Sequence, residues 1–428
     1  MASTGSSFSA AASETGPAPG PVVAGLLTFQ DAATVAGVAT AIRDGLDGHF
    51  ARVDNRIVLV DAGSSDGTMA RARDSLVGAN FVEATTDRST ADLLEIPYHG
   101  LPGKARAVHA VLTAARDLRA RACVMFDGGV STVSAEWVTS LVSPVIDRDL
   151  DFVSAFYERH RFDGALTRAI VYPVVRALYG VRLRQPATAE FACSLRFVEH
   201  ALGEALWNHP AAQVGVDMWL ATAAASGGFR IGEAEVGLRA HGSRGEAGLD
   251  LGATIAQVVG ALFTDLERHA AIWQRPRPPA AVDHLAGGPT AHAPQPGPVD
   301  VERLIETFRL GYRELRDLWA SVLPPLTILD LKHLVAGSGD AFAMDDQLWA
   351  RIVYDFALGC RLRVVARDHL LRSLAPLYSG WLASYILQVR NVSPEAVDQR
   401  VEAIAAAFES QKNYLIARWR WPERRRSG

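Results

Sequence analysis

The sequence has little of several things that mark particular classes of protein. It has three cysteines in 428 residues, and Cys123, Cys193 and Cys360 are too widely spaced to form a zinc motif. The formal net charge is −4, so the basic surplus typical of nucleic-acid-binding proteins is missing. No apolar run reaches the roughly 20 residues that span a bilayer. These absences argue against a nucleic-acid partner and a transmembrane segment, and they favour a globular protein of a reducing compartment, with the cytoplasm as default.

The first part of the chain is expected to lie outside the folded region. Residues 1–21 are rich in Ala, Ser, Gly and Pro, and they lack the cationic start and the apolar stretch of a secretory signal. This composition predicts a disordered tail. A second segment poor in large apolar residues, 274–300, predicts a linker. The expected organisation is therefore a catalytic domain over 22–273, a linker, and a second domain over 301–428.

Short apolar runs alternate with helical patterns in the first half of the chain. The runs at 22–29, 56–61, 80–84, 122–127 and 229–236 predict strands, and helical spacing follows at 32–46, 67–76 and 104–118. This alternation predicts a mostly parallel α/β sheet. Asp61 and Asp127 each end a predicted strand, and ligands of such sheets bind beyond the carboxyl ends of the strands.

The last third of the chain has apolar residues recurring at intervals of three and four. The pattern covers 301–323, 345–374 and 394–421. It predicts a helical C-terminal domain.

Several short motifs together resemble a known family. The string D-A-G-S-S-D-G-T over 61–68 resembles the nucleotide-binding segment of GT-A glycosyltransferases. Four further segments resemble those of glucosyl-3-phosphoglycerate synthases and mannosylglycerate synthases: L-P-G-K-A-R-A over 101–107, Y-E-R with D-G-A-L-T over 157–167, Q-P-A-T-A-E-F-A over 185–192, and V-G-L-R-A-H over 236–241. The resemblance covers more than half of the chain and implies a Rossmann-like GT-A domain.

The resemblance implies a donor site for a nucleoside diphosphate sugar. Its residues are expected to be Asp61, Ser65, Asp66, Lys104 and Asp127. An ammonium beside a glycine turn and a helix start suits a diphosphate. Simpler interpretations stay open, because Ser65 or Asp66 could cap a helix and Lys104 could be an ordinary surface lysine.

A metal site is expected at the end of the predicted strand 122–127. The resemblance implies that Asp127 and His241 hold Mg²⁺ or Mn²⁺ on the diphosphate, and hard oxygen ligands suit these ions. Gly129 stands where the family has a second aspartate, so metal affinity should be lower. A purely structural role for His241 is the alternative.

The resemblance also implies catalytic and acceptor residues. Asp217, at a predicted helix start, is expected near the acceptor hydroxyl; favourable placement at a helix N-terminus is the alternative. Acceptor binding is assigned to a set of residues able to hold a small acid: Arg159, Gly164, Thr167, Arg168 and Arg244. Ala165 replaces an arginine of the family loop, which weakens the case for phosphoglycerate.

The resemblance therefore implies transfer of glucose or mannose to a small, anionic acceptor such as 3-phosphoglycerate or glycerate, with retention of configuration. A degenerate domain that binds the nucleotide sugar without turnover is the alternative, supported by Gly129 and Ala165. A nucleotidyltransferase would need a glycine-rich basic loop after the first strand, and residues 28–32 do not supply one. A homodimer stays an open alternative.

Overall fold

The structure, a computed structural model, describes residues 20–51, 54–85, 97–241, 250–275, 277, 280–287, 299–337 and 339–426. The predicted tail and most of the predicted linker lie outside these residues. Among the helices described, none has the length and apolar content needed to cross a bilayer.

The sheet half alternates strands and helices as predicted. Its strands are β1 Val22–Thr28, β2 Arg56–Asp61, β3 Phe81–Thr85, β4 Ala122–Asp127, β5 Phe152–Glu158, β6 Phe191–Ser194, β7 Ile231–Leu238 and β8 Asp283–Leu285. Its helices are α1 Val35–His49, α2 Thr68–Ser75, α3 Lys104–Asp117, α4 Ala135–Asp147, α5 Tyr172–Tyr179, α6 Leu195–Leu202, α7 Pro210–Ser226, α8 Leu251–Arg268 and α9 Ala270–Trp273. A short π-helical turn, Thr167–Val171, leads into α5.

The eight strands of the described residues form one sheet in the order β3-β2-β1-β4-β6-β5-β7-β8. All neighbours pair in parallel except β6, which is antiparallel to both β4 and β5. The beginning of β6 therefore lies at the edge where the other strands end. This reversal brings Glu190, immediately before β6, to the edge that carries Asp61 and Asp127.

The C-terminal third is helical, as the apolar spacing predicts. It contains α10 Val301–Ala320, α11 Pro325–Ala336, α12 Asp346–Leu362, α13 Arg367–Arg372, α14 Leu374–Val389, α15 Pro394–Ser410 and α16 Lys412–Arg426. The helical spacing predicted over 345–374 is divided between α12, α13 and the start of α14, and the chain breaks after α12 at Arg363, which has a left-handed φ of 52°. The helical spacing predicted over 394–421 is likewise divided at Gln411, between α15 and α16. The α/β sheet followed by a helical region is confirmed.

The helical region packs directly on one face of the sheet half. Buried residues of α3 and α5 belong to the same continuous apolar cluster as Trp349, Trp381 and Trp419 of the C-terminal helices. The rings of Trp273 and Trp419 lie 5.0 Å apart, and the Trp349 indole N–H donates to the Ala169 carbonyl at 2.9 Å. The two regions therefore share one core. The opposite face of the sheet is covered by α1 and α4.

Candidate active site

The turn after β2 is organised by Asp61. Its Oδ1 accepts hydrogen bonds from the Thr28 hydroxyl (3.0 Å) and the Ser64 hydroxyl (2.6 Å), and its Oδ2 accepts from the Gly63 and Ser64 N–H groups (2.9 and 2.7 Å). These bonds fix the loop between β2 and α2. Asp61 therefore shapes the surface on which the predicted nucleotide would lie.

Ser65 and Asp66 join this turn to the loop after β1. The Ser65 N–H donates to the Gln30 side-chain oxygen at 2.9 Å, and Asp66 accepts from the Ala32 N–H at 3.0 Å and the Thr68 hydroxyl at 2.6 Å. Slight desolvation of this exposed side chain raises the pKa of Asp66, but its hydrogen bonds outweigh that effect and hold the pKa below its usual value. Within the structure both residues brace the two loops against each other, and donor binding by them stays a prediction.

Lys104 and Asp217 form an ion pair beneath the edge of the sheet. Lys104 begins α3 after Gly103, a glycine with a left-handed φ of 64°, and its Nζ contacts Asp217 Oδ2. Lys104 is only 1% exposed and Asp217 3%, so the interpretation of Lys104 as a surface lysine is wrong. A buried ammonium is compensated here by a buried carboxylate.

Asp217 follows a break in α7. Gly215 has non-helical angles (φ −118°, ψ 21°), so Asp217 lies in the first turn of the second helical segment. Burial raises the pKa of Asp217, and the Lys104 ammonium opposes this shift without cancelling it. Its second oxygen, Oδ1, is buried and has no hydrogen-bond partner among the described residues. An acceptor hydroxyl would satisfy that oxygen.

Asp127 ends β4 two strands away from Asp61. Because Thr28 of β1 is in register with Asp61 while Leu27 is in register with Asp127, the two aspartates are separated by roughly 10 Å across β1. Asp127 Oδ1 accepts the Gly129 N–H at 2.9 Å. Its Oδ2 lies 3.8 Å from an Arg239 nitrogen.

Arg239 connects the residues at this edge. Its Nε donates to Glu190 Oε2 at 3.1 Å, and its guanidinium also contacts Asp127 and His241 Nε2. The Tyr157 hydroxyl donates to the same Glu190 oxygen. Burial lowers the pKa of Arg239, but the neighbouring carboxylates of Glu190 and Asp127 outweigh this effect and hold the pKa above its usual value. Asp127 and His241, the predicted metal ligands, are thus brought together around a permanent cation.

Glu190, Arg239 and Tyr157 were quoted in motifs but not predicted as site residues. Each could have been found from the sequence, because all three lie inside segments that carry the family resemblance. Their meeting depends on the antiparallel β6, which the apolar pattern did not show. Tyr157 lies in β5, just after a bulge between Phe156 and Tyr157.

Four predicted acceptor residues line a single cavity of about 440 Å³ beyond the end of β5. They are Arg159, Gly164, Thr167 and Arg168. The fifth, Arg244, lies outside the described residues. The cavity also includes Tyr157, whose ring lies 5.5 Å from the Arg239 guanidinium carbon, so it adjoins the network around Glu190.

Arg159 lines this cavity next to Tyr157. Its guanidinium carbon lies 5.3 Å from the centre of the Tyr157 ring, and in the part of the chain that is described it forms no hydrogen bond or ion pair. Gly164 makes room for it, because a Cβ there would lie 2.6 Å from an Arg159 nitrogen. Burial lowers the pKa of Arg159. The half-buried guanidinium would gain most from an anionic ligand.

Arg168 is engaged elsewhere. One of its nitrogens donates to the Arg161 carbonyl and lies 3.3 Å from the Tyr385 hydroxyl. Arg161 in turn donates to the Val389 and Val392 carbonyls at the end of α14. These residues anchor the loop after β5 to the C-terminal helices, so Arg168 is a weaker anion-binding candidate than Arg159.

The comparisons with known proteins cover part of the chain. No family model matches the chain, and no similar curated protein was found. One solved structure, glucosyl-3-phosphoglycerate synthase from Mycobacterium tuberculosis with Mg²⁺ and UDP, is 26% identical over 59% of this chain and 80% of that chain, with a TM-score of 0.43. The same enzyme with Mn²⁺, UDP-glucose and glycerol 3-phosphate is 24% identical over 58% and 80%, with a TM-score of 0.41. Over these parts the chain is similar to glucosyl-3-phosphoglycerate synthase, the family that its motifs resemble.

Proposed function

We propose that this protein transfers a hexose from a nucleoside diphosphate sugar to a small anionic acceptor. The observation that carries the proposal is the unpaired Arg159, which faces a cavity beside the Asp127–Arg239–Glu190 network. The donor would lie over the turns held by Asp61 and Asp66, and the acceptor would enter the cavity. Retention of configuration and the choice of glucose or mannose rest on the family resemblance alone.

The residues at the β4 edge fit a divalent metal that is shared with the diphosphate. Asp127 would supply a carboxylate oxygen, and His241 would supply an imidazole nitrogen once its Nε2 leaves the contact with Arg239. Mg²⁺ is commonly bound by one or two carboxylates together with substrate phosphates. Among the described residues there is no group of three or more metal-ligating side chains. We therefore propose binding of Mg²⁺ or Mn²⁺ with the nucleotide. When bound, the metal would supply a Lewis acid that stabilises charge on the leaving diphosphate.

The protein's own groups have separate tasks in this proposal. Arg239 holds Asp127 and Glu190 in place and adds positive charge beside the predicted diphosphate. Lys104 adds a second positive charge when its ion pair with Asp217 rearranges around the ligand. Asp217 is buried and does not line the cavity; when its ion pair with Lys104 opens, its unsatisfied Oδ1 would accept a hydrogen bond from the acceptor hydroxyl and orient it towards the sugar.

The test is incubation with a panel of nucleotide sugars, Mg²⁺ or Mn²⁺, and short acids including 3-phosphoglycerate and glycerate. Nucleoside diphosphate release measures turnover, and mass spectrometry of the product identifies the bond formed. Acceptor-dependent release supports the proposal. Tight nucleotide-sugar binding with no release for any acceptor would favour the non-enzymatic alternative, which the lack of a carboxylate at Gly129 supports.

Gly129→Asp is expected to lower the metal concentration needed for half-maximal turnover by about 10-fold, because an added carboxylate raises the charge of the ligand set. The measurement is a Mg²⁺ titration of turnover. Gly129→Asn, which has nearly the same size without the charge, is the control. Superimposable titrations of Gly129→Asp and the unaltered protein would show that position 129 does not face the metal.

Arg159→Ala is expected to raise the acceptor KM about 10- to 100-fold, since a charge-assisted hydrogen bond is worth roughly 1.5–3 kcal/mol. Nucleotide-sugar binding, measured by calorimetry, should stay unchanged. Thr167→Ala should act in the same direction with a smaller effect. An equal loss of donor binding in Arg159→Ala would place this residue on the donor side.

We also propose a cytoplasmic location, supported by three cysteines that are all unpaired and buried. We also propose that the protein forms a homodimer. Sizing by light scattering would decide it.

A further inference from the structure

The acceptor cavity has a wall that comes from the C-terminal helices. Loops after β5 form one side, and α15 contributes Pro394, Val397, Asp398 and Val401 on the other. The cavity is therefore enclosed by two segments more than 200 residues apart in sequence. Its volume of about 440 Å³ falls within the roughly 300–1,000 Å³ of pockets that enclose drug-sized molecules, and it exceeds what a three-carbon acid needs.

The α15 wall is fixed in position. Arg176 on α5 pairs with Glu402 and with Glu409, the latter at 2.6 Å, and the Tyr172 hydroxyl donates to Glu402 at 2.7 Å. Because α5 continues directly from the π-helical turn that begins at Thr167, these bonds tie α15 to the cavity floor. Such a wall limits which ligands fit.

Asp398 presents a carboxylate to the cavity. It is exposed, and it forms no hydrogen bond or ion pair with any residue of the described ranges. On the sheet side the cavity is also lined by Glu158, Asp163 and Glu235, and Glu235 is bound to His284 at 2.7 Å. Asp398 is the acidic residue that α15 contributes to this lining. An ionised carboxylate accepts hydrogen bonds and repels anions. The cavity therefore offers an anion-binding guanidinium, Arg159, and a separate group that favours hydroxyl donors.

We propose that the preferred acceptor is an acid with a hydroxyl-rich extension, such as a sugar acid or a glycosylated acid, whose anionic group binds Arg159 and whose hydroxyls bind Asp398 on α15. This inference rests on the proposed function, because it specifies the acceptor of the same site. It assigns acceptor selection to the C-terminal helices. A short acid would fill only the part of the cavity around Arg159.

The test compares a short acid, glycerate, with an extended one, glucosylglycerate, using nucleoside diphosphate release. The unaltered protein should have the higher kcat/KM for the extended acid. Asp398→Ala should lower that kcat/KM about 10-fold or more and leave the value for glycerate unchanged. Asp398→Trp, which fills the outer part of the cavity, should do the same more strongly. Glu395→Ala and Glu395→Trp are the matched controls, since Glu395 is an exposed carboxylate on the same helix that does not line the cavity.

Two results would overturn the inference. One is a higher kcat/KM for glycerate than for the extended acid. The other is an equal change, or no change, for both acids in the Asp398 variants. In either case transfer to glycerate would leave the proposed function standing. If neither acid is glycosylated with any donor, the proposed function itself fails.

Discussion

Asp127→Ala is expected to abolish sugar transfer, with turnover falling by roughly 100- to 1,000-fold or more. Asp127 is the strand-end carboxylate assigned to the metal and diphosphate, and its Oδ2 lies 3.8 Å from Arg239. Removing it would take away the proposed metal ligand and leave the Arg239 charge less compensated. Nucleoside diphosphate release under saturating donor and acceptor is the measurement.

Two controls make this result interpretable. Asp147→Ala changes an exposed aspartate at the end of α4 and should keep full activity. Thermal unfolding of Asp127→Ala should show a folded protein, because a drop in turnover through unfolding would say nothing about the site. Turnover of Asp127→Ala close to that of the unaltered protein would rule out the assignment.

Lys104→Met is expected to lower the free energy of unfolding by about 3–5 kcal/mol, because it leaves the Asp217 carboxylate buried without its partner. The double variant Lys104→Met/Asp217→Leu should recover much of this loss, since an apolar pair of similar volume can replace a buried ion pair. Urea unfolding is the measurement. Lys332→Met, at an exposed lysine of α11, is the control.

The destabilisation should depend on pH with a definite sign. The pKa of Asp217 is already raised by burial despite Lys104, so the folded protein holds this proton more tightly than the unfolded chain. Protonation of Asp217 therefore adds to the free energy of unfolding below the pKa of the unfolded chain, near 3.9. This contribution is lost as the pH rises through the pKa of the folded protein. Without Lys104 the folded pKa rises further, so the deficit of Lys104→Met should be small near pH 4 and large near pH 8. A deficit independent of pH, or a double variant no more stable than Lys104→Met, would contradict the pairing.

Features that depend on local pattern were predictable from the sequence. Asp61 and Asp127 were placed correctly because a buried strand is a visible apolar run, and a carboxylate at its end stands out. The helical C-terminal region followed in the same way from its spacing. Arg159, Gly164, Thr167 and Arg168 came from one motif, and the structure places all four around one cavity.

Features that depend on the order of strands were not predictable. Glu190 and Arg239 are 49 residues apart, and they meet because β6 runs against its neighbours. The burial of Lys104 follows from its partner Asp217, which is 113 residues away. The chain breaks at Arg363 in a left-handed conformation. No glycine or proline stands at this point to indicate a break in the sequence. The part of the cavity formed by α15 likewise depends on how distant helices pack.

The core shared by the sheet half and the C-terminal helices has a consequence for cooperativity. Trp349, Trp381 and Trp419 are almost fully buried, and they belong to the same apolar cluster as α3 and α5. If the helices after residue 300 were lost, water would contact apolar side chains on both sides of that cluster, and the remaining chain would tend to self-associate. The two regions should therefore unfold together in a single calorimetric transition. The backbone amides of the strands under the helices should exchange their hydrogens only when the whole protein unfolds.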